Sequence, residues 1–141
     1  MTEVVTAKLR FLRQGPRKVR LVTDAIRGRK VTKALNILSL LNKRAAEPVL
    51  KLLNSAVANA KHNHKLAVED LKISKITVDG GPVLKRCMPK AHGRATPIRE
   101  RTSHIILELG VMAKRVEKEA EVKAKKEVKA KKEKTVKKES K

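Results

Sequence analysis

The sequence predicts an α+β fold in which one strand and three helices precede a long basic β-hairpin. Two observations support this prediction: apolar residues repeat with a helical period between residues 16 and 62, and with a period of two on either side of that region. A third is the segment 82–105, which contains six Lys/Arg, one acid (Glu100) and few apolar side chains. It lies between two strand-like runs, so we expect it to project from the folded body.

A short strand and an amphipathic helix come first. The alternating apolar residues of the strand, within residues 3–12, are Val5, Ala7, Leu9 and Phe11. Gly15 and Pro16 open the helix, because proline is tolerated in a first turn, and Gly28 ends it. One face of the helix carries Val19, Val22 and Ile26, and the opposite face carries Arg17, Arg20 and Arg27.

Two further helices follow. Thr32 is a candidate N-cap of the second helix, whose apolar side consists of Ala34, Leu35, Leu38 and Leu41. The third helix is predicted from about residue 45 to residue 62, with Pro48 in its first turn. Its wide apolar face consists of Val49, Leu52, Leu53, Ala56, Val57 and Ala60.

After the third helix, the sequence changes to strand periodicity. The parity of the apolar positions changes between Ile73 and Ile76, which predicts a β-bulge at residues 74–75. The returning strand has one face that is basic near the hairpin tip and apolar near its root: Arg99, Arg101, Ser103, Ile105, Leu107 and Leu109. We expect the apolar end to pack on the helices and the basic end to lie on a polyanion. The glycines of segment 79–82 should permit close backbone approach or a bend.

The composition indicates a nucleic-acid partner. The formal net charge is +22 and the pI is about 10.6. Residues 1–113 hold 23 Lys/Arg and 8 Asp/Glu, or +15, so the predicted domain (residues 1–112, with its hairpin at 80–104) is basic in its own right. Residues 113–141 are rich in Lys and Glu and repeat VKAKKE, which predicts a disordered or transiently helical tail. The absence of Trp and Tyr, with Phe11 as the single Phe, argues strongly against aromatic base-stacking platforms of the RRM or single-strand-binding kind.

Other classes of protein are disfavoured. A single cysteine, Cys87, rules out an internal disulfide and a Cys-rich zinc site, and an ordinary side chain is favoured there over a redox role. No apolar run approaches the roughly 18–20 residues of a membrane span, and the N-terminus has no signal-type apolar core. We therefore expect a soluble intracellular protein with no membrane partner.

The sequence offers no convincing catalytic, metal or cofactor site. His62 and His64 are two residues apart and do not face each other on a helix. Ser103 and His104 are adjacent and point to opposite faces of a strand, with no acid placed to orient the histidine. No P-loop or GxGxxG motif is present. We expect no enzyme activity, cofactor, metal or small-molecule substrate.

Several motifs occur in an order and at spacings that resemble one family. They are GPRKVRLVTDAIRG, ALNIL, LNSAVANAKHNH, VDGGPVLKR and PKAHGRATPIRERTSHI, which span about residues 5–110. In these motifs the chain resembles the large-subunit ribosomal protein L22 family in its bacterial or organellar form. It differs from the usual family pattern at Lys90, His92, Pro97 and Glu100.

The resemblance implies three helices packed on a three-stranded antiparallel sheet, bound to large-subunit ribosomal RNA and neighbouring ribosomal proteins in the cytoplasm. The hairpin would line the nascent-peptide exit tunnel, with its tip at about residues 88–97, near nascent peptides and bound macrolide antibiotics. The residues expected to line the tunnel are Met88, Pro89, Lys90, Ala91, His92, Gly93, Arg94 and Ala95. The expected RNA-binding residues are Arg13, Arg17, Lys18, Arg20, Arg27, Arg29, Lys85, Arg86, Lys90, Arg94, Arg99, Arg101, Thr102, Ser103 and His104.

The sequence is also compatible with two other functions, which it favours less. The lysine-rich tail would also suit a histone-like protein that compacts DNA, and such a protein would not sediment with large ribosomal subunits. An RNA-modifying enzyme is less favoured, because the sequence has neither a cofactor loop nor a convergent acid–base set. Sedimentation through a gradient at a salt concentration that preserves ribosomes distinguishes the ribosomal role from DNA compaction.

Overall fold

The computed structural model describes residues 4–111, which form three helices and three strands. In chain order these are β1 (Val4–Leu12), α1 (Pro16–Ile26), α2 (Val31–Leu40), α3 (Ala46–His64), β2 (Leu71–Pro89) and β3 (Ala95–Val111). The predicted α+β class is confirmed. The predicted tail at 113–141 and the domain boundary at residue 112 lie outside the described residues.

The sheet has the order β1-β3-β2, so the last strand in the chain is the middle strand. β1 pairs with β3 in antiparallel register, with Val5 opposite Leu109 and Leu9 opposite Ile105. The register shifts between Leu9 and Leu12. This irregularity explains why Phe11 does not continue the buried face that alternation predicts for β1, and its side chain is 61% exposed.

The core lies between one face of the sheet and the helices. From β3 it contains Ile105, Leu107 and Leu109, all fully buried, as the parity of this strand predicts. The helical residues that are buried with them match the predicted faces closely: Val19, Val22, Ile26, Ala34, Leu38, Val49, Leu52, Leu53, Ala56 and Ala60. The helical period of the sequence therefore identified the packing surfaces correctly.

The helix ends differ in part from the prediction. Gly15 and Pro16 open α1 as expected, but the N-cap of α2 is Lys30 and makes no side-chain capping bond. The expectation that Thr32 caps α2 is therefore wrong: Thr32 lies inside the helix, which begins at Val31. In the first turn of α3, the hydrogen bond and charge of Lys51 lower the pKa of Glu47.

β2 and β3 are longer than their apolar runs, which end at residue 78 and begin at residue 103. Burial along β2 follows the predicted change of parity, with Ile73 and Ile76 buried and Ser74 and Lys75 exposed between them. The bulge itself stays a prediction. Among the described helices, none is long and apolar enough to cross a membrane.

Candidate nucleic-acid interface

The distal parts of β2 and β3 form a two-stranded basic projection. Every residue from 85 to 101 is exposed, and this segment contains all six Lys/Arg of the predicted hairpin: Lys85, Arg86, Lys90, Arg94, Arg99 and Arg101. The single acid, Glu100, lies 3.7 Å from Arg13, so its charge is partly matched by the loop after β1. The projection therefore presents a nearly uniform positive surface.

A tight turn closes the tip of the hairpin. The backbone N–H of Lys90 donates to the carbonyl of Arg94 at 2.7 Å. His92 and Gly93 both adopt left-handed backbone conformations, with φ of 58° and 67°. Glycine adopts this conformation without cost, whereas histidine does so less readily. Gly93 has open space around it, so another molecule can approach its backbone closely.

The root of the hairpin is held by a close contact between β2 and β3. The hydroxyl of Thr102 donates to the carbonyl of Pro82 at 2.7 Å, and a Cβ on Gly81 would clash with that hydroxyl. The predicted close backbone approach is thus found at Gly81. Thr102 and Ser103 are buried, and the Ser103 hydroxyl has no hydrogen-bond partner in the described chain.

Thr102 and Ser103 are the two buried members of the expected RNA-binding residues. Thr102 and Ser103 do not present their side chains at the surface in this conformation, and the hydroxyl of Thr102 joins the two strands of the hairpin root. Sequence patterns placed them in a basic, polar stretch, and this gave no sign of burial. Contact of either residue with RNA stays a prediction.

His104 joins the hairpin root to β1. Its Nδ1 accepts a hydrogen bond from the backbone N–H of Phe11 at 3.0 Å, and the two rings meet edge to face with centroids 4.8 Å apart. On its other side, Nε2 lies 3.1 Å from the position that a Cβ on Gly81 would occupy. The imidazole of the middle strand is therefore packed between groups from both outer strands.

Arg20 of α1 and Arg27, which follows the last residue of that helix, bind the backbone of β2. Arg20 donates from Nε and Nη2 to the carbonyl of Val78, at 3.2 and 2.9 Å. Arg27 donates from Nη1 to the carbonyl of Ile76 at 3.1 Å and from Nη2 to Asp24 at 2.8 Å. β2 is an outer strand of the sheet, so these bonds attach α1 to a strand that has a sheet neighbour on one side only. Arg20 and Arg27 are therefore partly structural.

The remaining basic residues of this region are exposed, as Arg20 and Arg27 also are. Arg17 and Lys18 extend from α1, and the carbonyl of Arg29 accepts the backbone N–H of Ile73 at 3.0 Å. A neighbouring bridge sets Lys30 opposite Lys72. This Lys30–Lys72 pair was missed by sequence reasoning, because its two members are far apart in the chain. Like charges placed opposite each other repel, and an anion bound between them would relieve that repulsion.

The described residues contain no group of three His, Cys, Asp or Glu side chains that could hold a metal ion. His62 and His64 are exposed at the end of α3, and His62 lies 3.2 Å from the neighbouring Asn63 side chain. Cys87 is a free, exposed thiol on the hairpin. The chemistry that this surface offers is the binding of anions by Lys and Arg.

Comparison with known families gives a match that covers both the body and the hairpin. The family model described as ribosomal protein L22p/L17e matches residues 7–110, well over half of the 141-residue chain. The matched span begins in β1 and ends at the penultimate residue of β3. It thus includes the arginines of α1, the whole hairpin and the contact of His104 with Phe11. The chain belongs to the ribosomal protein L22p/L17e family and is a component of the large ribosomal subunit in the cytoplasm.

Proposed function

We propose that the protein binds large-subunit ribosomal RNA through its hairpin and the exposed basic residues of its body, and that it thereby holds separate RNA segments together during assembly. The role is architectural and involves no chemical step. In the large subunit we expect the protein also to contact neighbouring ribosomal proteins. The observation that carries this proposal is the hairpin segment 85–101, which is exposed throughout and has six basic residues against one acid.

A projection of this kind is suited to structured RNA. A two-stranded ribbon is marginally stable alone in water, and like charges along it add repulsion. A surrounding polyanion would remove that repulsion and release counterions from its phosphates. The guanidinium groups of Arg94, Arg99 and Arg101 can each donate two parallel hydrogen bonds to phosphate oxygens, whereas lysines act as point charges.

Two separate surfaces support the bridging role. The arms beyond Pro82 have about nine residues on each side of the tip, which corresponds to a reach of roughly 30 Å. Arg17 and Lys18 belong to α1 on the body and are exposed there. RNA segments held at the hairpin and at the body would then be fixed relative to each other by one folded chain.

The position of the tip in the subunit is a finer part of the proposal. We place residues 88–95 at the wall of the nascent-peptide exit tunnel, close to the peptide and to the region where macrolide antibiotics bind. The turn at His92 and Gly93 supports this placement, because its small, open backbone suits a narrow passage. The tip has few bulky apolar residues, so it contributes little to the protein core and can contact another molecule.

Direct binding tests the RNA part of the proposal. The full chain should bind protein-free large-subunit ribosomal RNA more tightly than duplex DNA of equal length at near-physiological salt. The affinity should fall steeply as salt rises, because bound phosphates release counterions. In cell extracts, the chain should sediment with large subunits. Equal affinity for duplex DNA, with no sedimentation at the subunit, would contradict the proposal and favour DNA compaction.

A shortened hairpin tests the tunnel part. Replacing residues 87–97 by Asn-Gly, which favours a two-residue hairpin turn, removes the tip, preserves the pairing of the two arms and keeps Lys85, Arg86, Arg99 and Arg101. Subunits with this variant should assemble normally but respond differently to macrolides and to stalling peptides. The control K90Q/R94Q keeps the backbone and removes only charge. Normal incorporation with unchanged drug response and stalling would contradict a tip in the tunnel.

A further inference from the structure

The chain's single aromatic residue among Phe, Tyr and Trp is held in an unusual conformation at the surface. Phe11 has a left-handed backbone, with φ of 58°, and its side chain is 61% exposed. For a bulky residue this backbone region is an outlier that costs free energy. Burial of the ring does not offset that cost, so folding alone gives little reason for a phenylalanine here.

The surrounding structure determines where the ring of Phe11 lies. The shift of register between Leu9 and Leu12 displaces the residue from regular pairing. Its backbone N–H is bound to Nδ1 of His104, and its ring meets the imidazole at an interplanar angle of 87°. His104 is itself packed against Gly81. The edge-to-face contact uses part of one ring, and the rest of the Phe11 side chain remains open.

The neighbours of Phe11 indicate what could cover it. Arg10 and Arg13 are exposed on either side of it in the chain, although Arg13 also lies 3.7 Å from Glu100, and Lys8 is exposed two residues before Arg10. An apolar protein partner would require a broader apolar surface, whereas the flanking side chains here are cationic. A flat aromatic ring between basic residues suits a nucleobase, because the base stacks on the ring while its phosphates lie near the charges.

We propose that Phe11 is a stacking site for one unpaired base of large-subunit ribosomal RNA, with His104 as the positioning residue that holds the ring. This inference rests on the proposed function, since it names one contact of the RNA-binding surface. It also explains the strained backbone: the left-handed conformation accompanies a break in regular pairing that leaves Phe11 exposed, where a base can reach its ring.

The full-length chain allows a direct test, because it has no native Trp or Tyr. In F11W the introduced indole is the single source of Trp fluorescence, and stacking with a base should quench it when protein-free large-subunit ribosomal RNA is added. In F11L the apolar side chain and the backbone N–H remain, but the aromatic face is lost. We expect F11L to weaken RNA binding roughly 5- to 100-fold, with F11W close to the wild type.

The salt dependence separates stacking from charge. F11L should leave the slope of log affinity against log salt unchanged, because no phosphate contact is lost. The matched control is L40A, which alters another exposed apolar residue (86%) and should change affinity less than twofold. Thermal unfolding followed by circular dichroism checks that each variant is folded, and the F11W quench does not depend on the behaviour of F11L.

The fluorescence of F11W and the affinities of F11L and L40A together test the stacking site. Quenching in F11W together with weaker binding by F11L supports the stacking site. Wild-type affinity in F11L with no quenching in F11W overturns it, as does an equal loss in L40A. An effect of Phe11 that appears only in assembled subunits, and not with RNA alone, would overturn it in favour of a protein contact. Failure of the wild type to bind this RNA would instead contradict the proposed function.

Discussion

Arg20 of α1 donates two hydrogen bonds from one guanidinium to the carbonyl oxygen of Val78, at the edge of the sheet just before the hairpin begins. The same helix carries Arg17, which is exposed and has no comparable bond. Arg17 and Arg20, three residues apart on one helix, therefore have different roles. One attaches the helix to the strand, and the other is free to face a partner.

This difference predicts unequal effects of the two substitutions on the free energy of unfolding. R20M keeps the aliphatic length of the side chain and removes both hydrogen bonds, so the free energy of unfolding should fall by about 1–2 kcal/mol. R17M should change it by less than about 0.5 kcal/mol, as is usual for exposed substitutions. Urea unfolding followed by circular dichroism measures both. Equal losses in the two variants would show that the bonds to Val78 do not matter.

The same pair predicts the reverse order for RNA binding. R17M removes a charge that is available to a phosphate, so the slope of log affinity against log salt should become shallower by roughly one. R20M should change that slope less, because its guanidinium is already bound to the backbone. The measurement is affinity for large-subunit ribosomal RNA over a series of salt concentrations. An unchanged slope in R17M would remove Arg17 from the interface.

The glycine pair at the hairpin root predicts a steric effect. In G81A the new methyl group would meet the hydroxyl of Thr102, and overpacking of this kind costs about 1–3 kcal/mol. In G80A nothing lies within 4 Å of the new group. We expect a lower midpoint of thermal unfolding for G81A and little change for G80A. Similar midpoints would mean that the root adjusts without strain.

The charge distribution predicts that residues 1–112, which include the hairpin, suffice for RNA recognition without the Lys/Glu-rich tail. Residues 1–113 carry +15 of the total +22, so a chain ending at residue 112 should bind large-subunit ribosomal RNA nearly as tightly as the full chain. The comparison is made at near-physiological salt, where weak nonspecific contacts are screened. Loss of specific binding on removal of residues 113–141 would assign recognition to the tail.

Much of the fold follows from local patterns. Val19, Val22 and Ile26 are buried as their helical spacing predicts, and the alternation of Ile105, Leu107 and Leu109 identifies the inner face of β3. These predictions succeed because burial on one face produces a period that any short window of sequence shows.

The details of the candidate interface depend on contacts between distant segments. The bonds from Arg20 to Val78 exist only because α1 lies beside β2, and a helical wheel shows Arg20 simply as an outward-facing charge. The exposure of Phe11 depends on how β1 pairs with β3, since regular alternation would have turned the ring inward. No local signal distinguishes these residues from their neighbours.

The strand order has a consequence for synthesis of the chain. β3, which lies between β1 and β2, is the last described strand to be made, and it supplies the centre of the core. Until residues 95–111 are available, β1 has no hydrogen-bonding neighbour and the helices have no complete surface to pack on. Contacts that join the two ends of a chain make folding slower. We expect the nascent protein to remain unfolded until residues 95–111 have been made, with the apolar residues of its future core still exposed, so that a chaperone or its RNA would be needed to protect it during that time.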